Sequence, residues 1–247
     1  MAAPLAYVVP FILLGALLYT SVGHGGATAY LAVLTLAGYA VGDIVTTVLV
    51  LNILAAGIAF VHFQQGGHLR ARLLLPFVVT SIPAAFLGGR VPLSGRVQAV
   101  ILGVALLAAA ARFLFFSRMR APGVKREGPL VLLAAMALGA VLGFLAGATG
   151  IGGGIFLSPL LLLLGWATIK EAASVASAFI VLNSLAGLAA KLGSTPIDLA
   201  LLVPLAVTVV AGALLGAWAG ARRLRTRPMQ VLLGIVLLVA GAKALVG

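Results

Sequence analysis

The chain of 247 residues contains no cysteine and few charged side chains. Without cysteine there is no disulfide, no thiolate metal site and no cysteine nucleophile, and nothing indicates a redox compartment. Only 8% of the residues are charged and 63% are hydrophobic, whereas a soluble domain has about a quarter charged and about half apolar residues. The composition therefore excludes an ordinary soluble domain and indicates a polytopic membrane protein embedded in a lipid bilayer.

Acidic residues are the scarcest charged type, with four Asp and Glu against sixteen Lys and Arg. All four stand at the boundaries of apolar segments: Asp43, Glu127, Glu171 and Asp198. We expect Glu127 and Glu171 to be solvated surface charges, and Asp43 and Asp198 to cap helix starts. A Na⁺ or proton relay built on carboxylates has no mid-membrane carrier in this sequence, which favours movement of an anion.

The formal net charge of +12 comes from basic residues in the short breaks between apolar runs. Because a nucleic-acid footprint needs a basic face, no nucleic-acid partner is expected. Cytoplasmic loops carry the excess of Lys and Arg, so the cations predict topology. The cytoplasmic side is predicted to hold Arg70, Arg72, Arg118, Arg120, Lys125, Arg126, Lys170, Arg222, Arg223, Arg225 and Arg227, and the outer side Arg90, Arg96, Lys191 and Lys243.

Ten apolar segments follow one another in two sets of five, at about residues 4–20, 27–42, 44–61, 73–89 and 97–117, and then 129–148, 154–169, 172–190, 199–220 and 229–246. The second segment of each set is shorter than the ~20 residues that span a bilayer upright. The sequence predicts an all-α polytopic membrane protein of two inverted repeats, each with a helix pair broken by a glycine loop and three transmembrane helices. Whether the broken pairs span or re-enter the membrane stays open.

The predicted units are a first membrane repeat, 1–117, a basic cytoplasmic linker, 118–128, and a second membrane repeat, 129–247. An odd number of passes in each repeat inverts the two and places both termini outside. Two weakly similar halves are typical of transporters, in which corresponding Gly-interrupted segments point to the binding site.

Two glycine-rich loops occupy corresponding places in the halves. Gly23, Gly25 and Gly26 lie 127 positions before Gly150, Gly152 and Gly153. A helix start preceded by glycines presents free N–H groups and the positive end of the helix dipole, which suits an anion. No metal or cofactor site is predicted.

The free energies of placing and binding a charge inside the membrane favour an anion site made of two loops over one made of a single loop. A charge at mid-membrane costs at least ~3 kcal/mol, a partly buried helix end returns up to about 2 kcal/mol, and each hydrogen bond to a charged group adds about 1.5–3 kcal/mol. The competing interpretation is that the glycines let helices pack closely. That explains Gly139, Gly143 and Gly147 well and the triplet from Gly152 to Gly154 poorly.

Polar side chains near the loops complete the candidate site. His24 can donate to an anion, or be a neutral imidazole bound to a carbonyl, and Asn52 and Asn183 can contact a ligand or join helices. Ser158 is a weaker candidate. The predicted substrate-binding set is Ser21, Gly23, His24, Gly25, Gly26, Asn52, Thr149, Gly150, Gly152, Gly153, Gly154 and Asn183.

The stretch from Gly143 to Leu161, with Gly147-Ala148-Thr149-Gly150-Ile151-Gly152-Gly153-Gly154 at its centre, resembles the signature of the sulfite exporter TauE/SafE family. Gly23-His24-Gly25-Gly26 resembles its other copy, although Ala27 replaces the third glycine and Ala32 stands where Pro159 would match. The resemblance covers almost the whole chain. It implies transport of small anions, often sulfite or sulfonates, through the bacterial inner membrane. The anion, direction, coupling ion and assembly into a homo-oligomer stay open.

Two other functions were compared with anion transport. An intramembrane hydrolase needs a nucleophile with a base in reach, but the chain has no Gly-x-Ser-Gly or His-Glu-x-x-His element, so no enzyme is predicted. A permease subunit driven by a separate ATPase is the alternative, because Glu171-Ala172-Ala173 resembles the start of its coupling motif. Ser177 stands where that motif expects glycine, and the chain has no P-loop of its own.

Overall fold

A computed structural model describes residues 4–91, 128–192 and 196–223 continuously, with scattered positions between 96 and 114 and between 231 and 245. The continuous ranges form eight helices without a strand. Five of them, α3, α4, α5, α7 and α8, are long and apolar enough to cross a membrane. The predicted all-α polytopic membrane architecture is thus confirmed. The helices are α1 (Leu5–Ser21), α2 (Ala27–Leu36), α3 (Val41–Gln65), α4 (Ala71–Arg90), α5 (Pro129–Thr149), α6 (Gly154–Leu163), α7 (Ile169–Lys191) and α8 (Leu199–Arg222).

The predicted fifth and tenth segments and the linker 118–128 lie largely outside the described residues. Eight other segments have a helix in the structure, but the short ones were predicted too long. Helices α2 and α6 have 10 residues each and stop before Gly38 and Gly165, whose φ angles are +93° and +65°. Both ends form the same motif, in which Tyr39 N–H bonds to the Leu34 carbonyl and Trp166 N–H to the Leu161 carbonyl. A left-handed glycine followed by this bond ends a helix.

The two halves repeat the same order of helices. Helix α6 starts 127 positions after α2, from Ala27 to Gly154, and α7 starts 128 positions after α3, from Val41 to Ile169. Helix α8 follows α4 by 128 positions, from residue 71 to residue 199. The spacing agrees with the internal repeat in the sequence.

Helices of one half pack tightly on helices of the other through glycines. A Cβ built on Gly139 of α5 would lie 2.5 Å from the Phe77 carbonyl oxygen of α4, and Gly147 meets Ala85 further along both helices. In the same way Gly212 of α8 faces Leu13 of α1 at 2.7 Å, and Gly220 faces Ser21. The residue order shows that α4 runs parallel to α5, and α1 parallel to α8. The close packing expected for Gly139, Gly143 and Gly147 is therefore present.

Helices α3 and α7 pack against each other at the centre and run in opposite directions. Asn52 bonds to Ser184, and Phe63, nearer the end of α3, clusters with Ala173, nearer the start of α7. One end of the bundle carries Arg70 paired with Glu171, and Lys170 bonded to the Ala221 carbonyl at the end of α8. At the other end Lys191 bonds to the Gly89 carbonyl, beside Arg90.

Candidate functional site

The two glycine loops share left-handed glycines at two corresponding positions and differ at the third, where Gly152 has a positive φ and its counterpart Gly25 does not. Gly26 and Gly153 directly precede α2 and α6 and adopt the left-handed conformation, with φ of +99° and +73°. Gly23, Gly150 and Gly152 also have positive φ, between +74° and +79°. Because L-residues rarely adopt these angles, glycine is required for the backbone itself at these positions.

Both loops leave backbone N–H groups without a hydrogen-bond partner in the described part of the chain. These are the N–H groups of Gly25 and Gly26 before α2, and of Gly152 and Gly153 before α6. Buried N–H groups are normally paired, and these lie at two helix starts, where the dipole is positive. These four N–H groups are therefore hydrogen-bond donors without an acceptor in the described part of the chain.

Asn52, in the middle of α3, joins the two loops. Its Oδ1 accepts the N–H of Ala27, the first residue of α2, at 3.1 Å. Its Nδ2 donates to the Ile151 carbonyl in the second loop at 3.2 Å, and to the Ser184 hydroxyl of α7 at 2.9 Å. The side chain is 1% exposed, so one buried amide fixes the distance between both loops and both central helices.

Each loop also rests on the central helix of the opposite half. A Cβ on Gly23 would lie 2.5 Å from the Cα of Ala173 in α7, and a Cβ on Gly150 would lie 2.6 Å from Cγ2 of Val45 in α3. Val45 and Ala173 are themselves 128 positions apart, which matches the spacing of α3 and α7. The loops therefore enter the centre of the molecule in related ways.

His24 is 2% exposed and sits between the first loop and α6. Its Nδ1 lies 3.1 Å from the Val22 carbonyl oxygen, and the Gly154 backbone is close to the ring. Its Nε2 has no hydrogen-bond partner among the described residues. With Ser158, the ring lines a small cavity of about 20 Å³. The imidazole thus does bond to a carbonyl, and still keeps one nitrogen for another partner.

Three other predicted site residues donate side-chain hydrogen bonds to backbone carbonyls of their own helices. The hydroxyl groups of Ser21 and Thr149 donate to the carbonyls of Leu18 and Leu145, at 2.5 and 2.6 Å. Asn183 donates to the Phe179 carbonyl at 2.8 Å. The other polar atom of Asn183, Oδ1, is buried and has no hydrogen-bond partner among the described residues.

Asn52 and Asn183 both lie in the middle of a central helix, but they do not occupy corresponding positions. Asn52 lies eleven residues after the start of α3 at Val41, whereas Asn183 lies fourteen after the start of α7 at Ile169. The helix starts, 128 positions apart, pair Asn52 with Ile180. Of these two residues, Asn52 is the one whose hydrogen bonds reach both loops, since Asn183 bonds to Phe179 of its own helix.

Two predictions for acidic residues are wrong and one is confirmed. Glu171 is not a solvated charge: it is 7% exposed, accepts from the Thr168 N–H at 2.8 Å and pairs with Arg70 at 2.5 Å. Asp43 does not cap α3, which starts two residues earlier, and instead lies within its first turn. Asp198 caps α8 as predicted, accepting from the N–H groups of Ala200 and Leu201.

Sequence reasoning missed two structural elements near the site. Ser184, the partner of Asn52, carried no signal in the sequence. The second element is the capping box that starts α7, formed by Thr168 and Glu171. The pattern Thr-x-x-Glu before an apolar run predicts such a box. That pattern identifies Glu171 as a helix-starting residue.

A larger cavity of about 830 Å³ opens at the basic end of the bundle, away from the loops. It lies between the starts of α4 and α5, and its lining includes Arg70, Arg72 and Trp166. Arg70 and Arg72 make part of its lining positively charged. The cavity was not predicted.

Comparisons with known sequences and solved structures indicate which family contains these glycine loops and central helices. The sequence profile described as "Sulfite exporter TauE/SafE" matches residues 8–244. The chain belongs to the sulfite exporter TauE/SafE family. It is also 34% identical over 238 residues to the "Probable membrane transporter protein y4hK" of Sinorhizobium fredii (strain NBRC 101917 / NGR234), covering 93% of this chain and 94% of the relative. No solved structure matches.

Membership in the TauE/SafE family makes the chain a multi-pass membrane transporter, which agrees with its five apolar spans. The profile covers both glycine loops and both central helices, so the site described above lies wholly within the family's domain. The stretch compared with an ATPase coupling motif takes another role in this fold. Glu171 belongs to the capping box, and Ala172 and Ala173 are buried within α7.

Proposed function

We propose that this TauE/SafE protein transports a small, sulfur-containing anion, such as sulfite or a sulfonate, and binds it between the two glycine loops. The observation that carries the proposal is the pair of helix starts, α2 and α6, held together by Asn52 with unpaired N–H groups at Gly25, Gly26, Gly152 and Gly153. His24 lies in the first loop, and its Nε2 has no partner among the described residues.

The balance of energies supports two loops acting together. Moving one charge to mid-membrane costs at least about 3 kcal/mol. One helix end returns up to about 2 kcal/mol, and hydrogen bonds to a charged group return about 1.5–3 kcal/mol each. Two helix ends with several N–H donors therefore offset the cost of bringing one small anion to the centre of the bilayer.

The proposed architecture is a pair of inverted repeats with both termini outside the cell. Its support is the antiparallel packing of α3 on α7, and the matching parallel pairs of α4 with α5 and of α1 with α8. The positions of the basic side chains agree with this topology. Arg70 and Lys170 share one end of the bundle with the end of α8, and Arg90 and Lys191 share the other end. By the excess of Lys and Arg, the first end is cytoplasmic, and the membrane is the bacterial inner membrane.

The test is a flux assay of the purified protein in liposomes against sulfite, sulfate, methanesulfonate and acetate. Sulfite or methanesulfonate should enter faster than into protein-free liposomes, and His24→Ala should slow that entry. Gly153→Val should abolish it, because a Cβ there would lie 2.8 Å from Cβ of Ala146 and the φ of +73° disfavours valine, so the second loop must shift.

Gly67→Val is the matched control for Gly153→Val. Gly67 has a similar φ of +76°, but nothing lies within 4 Å of its Cβ position, so the backbone strain is alike and the site is untouched. The proposal fails if no sulfur anion moves. The loop site fails if His24→Ala and Gly153→Val both transport normally at normal abundance.

A further inference from the structure

We propose that His24 carries the proton that enters the site with the anion, so that the protein moves an anion and a proton together. This rests on the proposed function, because it assigns a coupling role to a residue of that same site.

The hydrogen bond to Val22 fixes which nitrogen is free. A carbonyl oxygen only accepts, so the contact of 3.1 Å requires Nδ1 to carry the hydrogen. The neutral ring then has its lone pair on Nε2, and that atom has no partner among the described residues. Nε2 can therefore take up one proton and become a charged N–H donor, while the bond to Val22 remains.

A cavity reaches from the ring toward the basic end of the bundle. It is lined by His24, Val22, Ser158 and Leu162, and by Ile169 and Ala173 in the first turns of α7. Its volume of about 20 Å³ exceeds the ~10–15 Å³ that one water needs. A water there would lie between His24 and the end where Arg70, Lys170 and Glu171 sit. A proton that reaches this water can pass to the imidazole.

Among the residues that the structure describes, no other group near the loops can serve as the carrier. The remaining lining residues of the cavity are not titratable. From α1 and α2, the Tyr19 hydroxyl accepts from Thr28 and the Tyr30 hydroxyl donates to the Gly25 carbonyl, and a phenol stays neutral at physiological pH. From α7, Lys170 is bonded to the Ala221 carbonyl, and Glu171 to Arg70.

Charge explains why the proton and the anion should bind together. With the site empty, a buried imidazole favours its neutral form, because burial penalises charge. An anion at the N–H groups of Gly25 and Gly26, in the same loop as the ring, would stabilise the imidazolium, and the imidazolium would stabilise the anion. The loaded site then holds no net charge from the pair, which lowers the cost of crossing the apolar core. By linkage, each ligand must tighten binding of the other by the same factor.

The experiment measures anion affinity against pH for the purified full chain in detergent. Methanesulfonate and sulfite are titrated by calorimetry between about pH 5.5 and about pH 8, the range in which histidine changes charge. Methanesulfonate keeps one charge throughout, whereas sulfite titrates itself and serves as the second probe. The wild type should lose up to about tenfold in affinity per pH unit on the alkaline side.

Two variants remove the titration and keep different parts of the geometry. His24→Asn retains a donor toward the Val22 carbonyl, and His24→Gln places a neutral amide near the position of Nε2. Both should bind the anion with an affinity that changes little with pH, apart from the intrinsic titration of sulfite. If one variant fails to fold, the other gives the answer. His62→Gln and His68→Gln are the matched controls and should keep the wild-type slope.

The control at His68 is informative because that residue lies outside the spans, in the loop before α4. Partial burial and the nearby Lys170 lower the pKa of His68, and Glu171 opposes this. A slope that vanishes in His68→Gln and persists in His24→Asn would overturn the proposal. So would a wild type without pH dependence for methanesulfonate. Absence of binding and flux for both probes in the wild type would instead contradict the proposed function itself.

Discussion

Asn52 donates a hydrogen bond of 3.2 Å to the carbonyl oxygen of Ile151, a residue 99 positions away in the other half of the chain. The same side chain receives the N–H of Ala27 at the start of α2. One amide therefore sets the relative position of both glycine loops. It is also buried, so its loss would leave polar backbone groups without partners.

Asn52→Ala should lower the free energy of unfolding by about 2–4 kcal/mol, since three hydrogen bonds of about 1 kcal/mol each are lost and buried groups are left unpaired. Thermal unfolding in detergent measures this loss of stability. Ser184→Ala is the matched control: it removes one of the three bonds and should cost about 1 kcal/mol. Equal stability of Asn52→Ala and wild type would show that the loops are held in another way.

Alanine substitutions should separate the roles of glycine. Gly23→Ala combines positive φ with a clash against Ala173, and Gly67→Ala has positive φ and open space. Gly23→Ala should therefore lower the free energy of unfolding by clearly more than the ~1–2 kcal/mol of left-handed strain expected for Gly67→Ala. Gly57→Ala, in open space within α3, should be neutral or stabilise by about 0.5–1 kcal/mol. Denaturant unfolding in detergent ranks the three, and equal losses at Gly23 and Gly67 would exclude the packing contribution.

The sequence was sufficient to predict the helical membrane class, the family and the location of the two glycine loops. These depend on local composition and on residues that are close in the chain. The lengths of α2 and α6 were missed because their apolar runs continue past the glycines at 38 and 165, and only the backbone conformation of these glycines ends the helices. Glu171 was misjudged because its partner Arg70 is 101 positions away.

The bridging role of Asn52 could be predicted only in part. A mid-helix Asn at membrane depth signals that a partner exists, but the partners Ile151 and Ser184 come from a different loop and helix. Asn183, a mid-helix Asn in the other half, carries the same signal in the sequence. The packing of α3 on α7, not the repeat in the sequence, decides which Asn reaches both loops.

Transport should not depend on any carboxylate. Asp198 caps α8, Glu171 caps α7 and pairs with Arg70, and Asp43 lies exposed in the first turn of α3. Asn and Gln can accept hydrogen bonds at these positions, so Asp43→Asn, Glu171→Gln and Asp198→Asn should keep gradient-driven flux in liposomes, as should Glu127→Gln in the linker. Loss of that flux in one variant, with passive exchange preserved, would show that its carboxylate couples transport.

The proposed topology can be tested by thiol labelling, because the chain has no native cysteine. Gly123→Cys and Thr226→Cys should resist a membrane-impermeant reagent in intact cells and react after permeabilisation, because both loops are placed inside. Leu192→Cys is the control from the opposite end, beside Lys191 and 69% exposed, and should react in intact cells. Labelling of position 123 or 226 from outside would contradict the inverted arrangement.

The position of the anion is tested most directly by an anomalous diffraction experiment on crystals soaked in selenite, the heavier analogue of sulfite. The account predicts a selenium peak between α2 and α6, within hydrogen-bond distance of the N–H groups of Gly152 or Gly153 and near Nε2 of His24. A peak confined to the basic cavity at Arg70 and Arg72, from a protein that transports selenite in liposomes, would contradict it.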